Sequence, residues 1–111
     1  MTALTITGAD ERRWQRDAYK VLGDVLKLGD NHDLPVLAWR VRESGLVGEC
    51  FLPDHAQRRA AVDAWNGVLD LDRWPDRPIA SGVHLHAVAK NWRGRGVNVV
   101  VLADVREEGL A

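Results

Sequence analysis

The stretch from Gly82 to Val105 constrains the fold most. It runs Gly-Val-His-Leu-His-Ala-Val-Ala-Lys, breaks at Asn-Trp-Arg-Gly-Arg-Gly, and resumes as Val-Asn-Val-Val-Val-Leu-Ala-Asp-Val. Both arms have the β-branched, partly alternating pattern of half-buried strands. Gly94 and Gly96 give the break the left-handed backbone freedom that a tight turn needs. The stretch is therefore read as a β-hairpin.

Upstream, Leu4 to Thr7 reads as a short first strand, and Thr7-Gly8-Ala9-Asp10 has the spacing of a capping box. A helix is expected from about Asp10 to Leu28. Trp14, Ala18, Val21, Leu22 and Val25 fall on one apolar face, and Gly29 is a natural stop. Val36 to Val41 and Leu46 to Leu52 read as two strands joined by Glu43-Ser44-Gly45. Asp54 caps a second helix to about Leu69, with Gln57 placed to reach back and Ala61, Trp65, Val68 and Leu69 as its buried stripe. Asp70 to Ser81, punctuated by Pro75 and Pro78, is expected to be a loop. Glu107 to Ala111 is expected to fray.

A faint repeat at an offset of 46 aligns Arg12-Arg13 with Arg58-Arg59, Asp17-Ala18 with Asp63-Ala64 and Tyr19 with Trp65. The expected fold is α+β: a short strand, then helix-hairpin twice (βαββαββ), with a four-stranded antiparallel sheet and two helices on one face. The 111 residues make one domain, with two helix-hairpin units at about 9–52 and 54–105. Trp14, Trp39 and Trp65 are assigned to the core. Trp74 and Trp92 are assigned to exposed or interface positions.

A net charge of −1 argues against a dedicated, strongly basic nucleic-acid binder, while leaving room for a local basic patch. The single cysteine, Cys50, excludes an intramolecular disulfide and fits a reducing compartment. No apolar run is long enough to span a bilayer, and the opening Met-Thr-Ala-Leu-Thr-Ile-Thr has neither a basic region nor a long apolar one. A cytoplasmic protein, not a membrane-bound one, is the expectation. The Arg-rich, Lys-poor usage fits a high-GC coding bias.

Asp63-Ala64-Trp65, Leu69, Gly82-Val83-His84-Leu85-His86-Ala87, Val97 and Val99 form a pattern over roughly the second half of the chain. It resembles small uncharacterised proteins of actinobacterial genomes, plasmids and phages. The resemblance implies a setting in mobile elements or phage. It carries no activity or site residues.

His84 and His86 sit two positions apart on a strand and so share a face. Such pairs ligate zinc or iron when a third ligand arrives, here from His32, His55, Asp33 or Asp54. The plainer alternative is that Val83, Leu85 and Ala87 face inward and both histidines face solvent or a partner. Lys90, Trp92, Arg93 and Arg95 at the hairpin tip are a candidate nucleic-acid contact, the arginines on phosphate and Trp92 stacked on a base. Against that stands a solvated turn whose Trp folds back on the sheet. Arg12, Arg13, Arg16, Arg58 and Arg59 lie near helix starts, where an anion could sit. Pairing of Arg13 with Asp17 and of Arg59 with Asp63 explains them more simply.

Arg40 and Arg42 share a face on the first hairpin, with Glu49 opposite. Together with His84, His86 and Lys90 they make a mixed, basic sheet face, to which Val47, Phe51, Val100 and Leu102 add apolar area. Apolar and charged residues mixed in this way favour a covered surface, either a binding platform or an isologous dimer contact. Cys50 reads as a small core residue with no base beside it. The loop carboxylates lack the spacing of a calcium loop. There is no glycine-rich phosphate loop, serine elbow, Cys-x-x-Cys or His-Glu-x-x-His. Sequence thus points to a non-enzymatic interaction module that forms a homodimer or holds a protein partner and needs no cofactor. DNA binding at the tip and a metal enzyme or sensor at His84 and His86 are the two alternatives.

Overall fold

The computed structural model describes residues 7–42 and 45–106. The expected first strand at 4–7 and the frayed tail at 107–111 fall outside these residues, apart from Thr7. So do Glu43 and Ser44 of the first turn.

Thr7 is not in a strand but caps the first helix, α1 (Gly8–Asn31). The capping box forms as the sequence requires: Thr7 Oγ1 accepts from the Asp10 N–H at 3.1 Å, and Asp10 Oδ2 accepts from the Thr7 N–H at 3.1 Å. The Thr7 backbone and hydroxyl bonds, with Arg13 nearby, hold the Asp10 carboxyl below the usual carboxylate range. Gly29 does not stop α1, which continues to Asn31. The glycine serves packing: a Cβ there would come within 2.5 Å of the Trp65 ring. Ala18, Val21, Val25 and Gly29 form the buried face of α1. Trp14, expected in the core, lies before that face begins and is 36% exposed.

Two strands follow, β1 (Ala38–Arg42) and β2 (Gly45–Glu49), paired antiparallel. The second helix, α2 (His55–Leu69), starts where Asp54 Oδ1 accepts from Ala56 N–H and Gln57 N–H at 2.8 and 3.3 Å. Asp70 ends it in the left-handed region at φ 57°. The expected loop after α2 contains two short strands, β3 (Asp72–Arg73) and β4 (Arg77–Ile79). Pro75 and Pro78 keep them short and at an edge, because proline cannot donate to a ladder. The long hairpin is β5 (Gly82–Ala89) and β6 (Asn98–Arg106), joined through a 3₁₀ turn at Trp92–Gly94.

The sheet has six strands in the order β1-β2-β6-β5, with β3 and β4 both on the outer side of β5. The fold is α+β as expected, but the sheet is neither four-stranded nor wholly antiparallel. β2 runs parallel to β6, with Gly45 beside Asn98 and Glu49 beside Leu102. The two hairpins join through their returning strands, and the approach is close. A Cβ at Gly45 would collide with the Asn98 carbonyl oxygen, so only glycine admits this contact.

Both helices pack on one face. Beneath them lie Leu46, Leu85, Ala87, Val99, Val101 and Ala103, all buried. Trp65 of α2 meets Trp39 of β1 edge-on at 5.5 Å and gives its indole N–H to the Pro35 carbonyl at 2.8 Å. Trp65 thus ties both helices to the outer hairpin.

Candidate functional site

Strand alternation turns the other side chains of the same strands onto the second face of the sheet. The register sets them in rows. One row runs Arg40, Val47, Val100, Val88, Asp72 from edge to edge. The next runs Ala38, Glu49, Leu102, His86, and a third runs Asp104, His84, Arg77. Val47, Glu49, Val88, Val100, Leu102, His84 and His86 are half-buried by their neighbours within the sheet. No described helix packs on this face.

The histidines anchor the β5 side. Nδ1 of His84 lies 2.6 Å from Oδ1 of Asp104, one strand over. Nε2 of His84 lies 3.3 Å from Nδ1 of His86. The His86 ring is stacked on Trp74, with centroids 4.4 Å apart and planes at 20°. Trp74 is held there because its backbone N–H donates to the His86 carbonyl at 2.9 Å. Burial first, then the neighbouring His84 and Arg77, push the His86 imidazole below its ordinary pKa. A carboxylate that orients one imidazole, with a second ring beyond it, supplies the orienter and base of a nucleophilic triad. Among the described residues no hydroxyl or thiol hydrogen-bonds either ring, and Cys50 is buried on the helix side.

Arg40, Arg42, Glu49, His84 and His86 therefore lie on one face, as do Val47, Val100 and Leu102. Arg40 reaches Glu49 at 3.5 Å. Lys90 follows β5 and is exposed. Sequence reasoning did not find Asp104, Arg77 or Val88. The signal for Asp104 was its place two positions after Leu102, but only the β5–β6 register brings it to His84. Trp74 was assigned to an exposed or interface position, and it is half exposed.

The hairpin tip is built differently from the expected nucleic-acid contact. Trp92 is 2% exposed and donates its indole N–H to the Leu69 carbonyl at 2.9 Å, so it cannot stack on a base. Arg93 lies over the Trp92 ring at 4.5 Å, and Arg95 pairs with Asp24 of α1 at 2.5 Å. Left-handed Asn91 and Arg93 turn the chain inward and bring Trp92 into the core beside the end of α2.

Two of the helix-start arginines, Arg13 and Arg59, form ion pairs, with other partners than spacing indicated, and Arg58 donates to the Leu52 and Asp104 carbonyls. Arg13 meets Asp10 at 2.7 Å, Arg59 meets Asp76 at 2.9 Å, and Asp63 receives Arg73. The third metal ligands also lie elsewhere: His55 Nδ1 accepts from the Arg106 N–H at 2.8 Å, and Asp54 caps α2. Among the described residues no group of three His, Cys, Asp or Glu is placed to hold a metal. Nor is any described helix long and apolar enough to cross a membrane. Comparisons with protein-family models, with curated proteins and with solved structures gave no match.

Proposed function

We propose that the chain is a non-enzymatic interaction module that assembles with a second copy of itself through the open face of its sheet. The observation that supports this reading is the composition of β6. From Val99 to Ala103 it is apolar at every position, and every second residue lies on the open face. Strands that are apolar without interruption belong to sheets covered on both sides. The chain's own helices cover one side.

The rows favour a second copy as the cover. Consider a two-fold axis along β6 between two facing sheets. The row Arg40, Val47, Val100, Val88, Asp72 then sets valine against valine and Arg40 against the second copy's Asp72. The adjoining row sets Glu49 against the second copy's His86. Aligned sheet packing at about −30° keeps such rows close near the axis. At roughly 4.8 Å per strand, the face spans about 24 Å by 17–27 Å. That is on the order of 400–650 Å² per chain, at the low end for specific complexes, so a reversible dimer in the micromolar range is expected. The setting we propose, an accessory or regulatory role in a mobile element or phage, rests only on the resemblance of the pattern from Asp63 to Val99.

Light scattering on Leu102→Glu and on Arg40→Glu tests the reading. Both are expected to run as folded monomers, while Arg93→Ala at the tip keeps the wild-type mass. Leu102→Glu with unchanged mass would place any assembly on another surface.

A further inference from the structure

His84 and His86 bring two ring nitrogens side by side. Nε2 of His84 and Nδ1 of His86 stand 3.3 Å apart. Two imidazole nitrogens bound at about 2.0–2.1 Å to a tetrahedral metal are separated by about 3.3–3.4 Å. The lone pair on His84 is also fixed in place. Asp104 Oδ1, 2.6 Å from Nδ1, accepts the proton there, so in the neutral ring Nε2 carries the lone pair on the side of His86. Metal-binding imidazoles are oriented by a carboxylate in this way. Trp74, stacked on His86 at 4.4 Å, restrains the second ring.

We propose that His84 and His86 form a two-nitrogen site for a divalent first-row transition metal that accepts tetrahedral coordination, zinc foremost. Asp104 acts as a positioning residue, and water fills the remaining positions. The metal takes the place of the proton between the two nitrogens. The His86 proton moves from Nδ1 to Nε2, both rings stay neutral, and nothing is oxidised or reduced. Arg77, across from His84, opposes a cation, and the Asp104 carboxylate offsets it. The site stands on one chain's residues and does not depend on the assembly proposed above.

The test uses the untagged full chain. Calorimetric titration with zinc chloride is expected to give equimolar binding. His84→Asn and His86→Asn should each weaken it by about tenfold or more, and Asp104→Asn by about tenfold at unchanged thermal stability, with recovery in Asp104→Glu. If an asparagine variant does not fold, the glutamine variant is read in its place. Cobalt(II) should quench tryptophan fluorescence in the wild type. Trp74→Phe should lose most of that quenching while still binding zinc. Absence of zinc binding, or wild-type affinity in either histidine variant, overturns the proposal. Equal affinity in Asp104→Asn removes the positioning role.

Discussion

The two faces of β5 and β6 are built from the same strands and much the same residues, yet they meet different surroundings. Leu85, Ala87, Val99, Val101 and Ala103 are fully buried under the helices. Val88, Val100 and Leu102, one residue away in each strand, are half-buried, and no described helix covers them. On the helix face the apolar residues have partners from the same chain, and the indole N–H groups of Trp65 and Trp92 are bonded to the Pro35 and Leu69 carbonyls. On the open face the apolar centre is bordered by Arg40 and Glu49 on one side and by His84, His86 and Asp72 on the other. The first is the pattern of a core, and the second is the surface we propose for contact with a second copy.

A charge separates the two faces most sharply. Val101→Asp puts a carboxylate under the helices with no partner and is expected to leave the chain unfolded by circular dichroism, as an unpaired buried charge costs several kcal/mol or more. Leu102→Asp, the next residue, should lower monomer stability by about 1 kcal/mol or less and act on association instead. Equal loss of structure in both would remove the distinction between the faces.

The two tryptophans assigned from sequence to the surface make the same comparison at smaller scale. Trp92→Ala should cost about 3–5 kcal/mol in denaturant unfolding, because the ring is buried and its N–H is bonded to Leu69. Trp74→Ala should cost about 1 kcal/mol or less, because Trp74 is half exposed and stacks on His86 at the rim. Gly45→Ala lies between these in effect. It opposes the backbone contact that joins β2 to β6 and is expected to destabilise by about 1–3 kcal/mol. Faster amide exchange in β2 than in β5 would locate that loss at the parallel junction.

The smallest effect is a pH dependence. His86 is held below its ordinary pKa, so the folded chain binds that proton more weakly than the unfolded chain does. Its contribution is full above about pH 6.5 and declines as pH falls below it. Asp10 and Asp76, whose carboxyls are also held low, lose theirs only at more acid pH. Urea midpoints at neutral pH and at pH about 5 should differ less in His86→Gln than in the wild type. An unchanged difference would assign the dependence to other groups.

Local signals in the sequence carried much of this fold. The Thr7–Asp10 box, the Asp54 cap and the alternation of β5 and β6 each depend on neighbours in the chain, and each is present. The arrangement of the two hairpins was not legible, because it rests on Gly45 lying against Asn98, 53 positions away by subtraction of their numbers. The short strands β3 and β4 were hidden because prolines and loop composition outweigh pairing that β5 imposes from outside. At the site, alternation alone placed His84 and His86 on one face. Asp104 and Trp74 needed the register. Trp92 was misassigned because a Trp-Arg-Gly-Arg turn looks exposed, whereas left-handed Asn91 and Arg93 fold its ring into the core beside α2.

Sedimentation equilibrium of the unmodified chain, from low to high micromolar concentration, tests the central claim most directly. The account predicts a reversible rise from one chain mass to two, a rise that Leu102→Glu abolishes without loss of helix signal. A single chain mass across the whole range would contradict it and leave the open face of the sheet without a second copy to cover it.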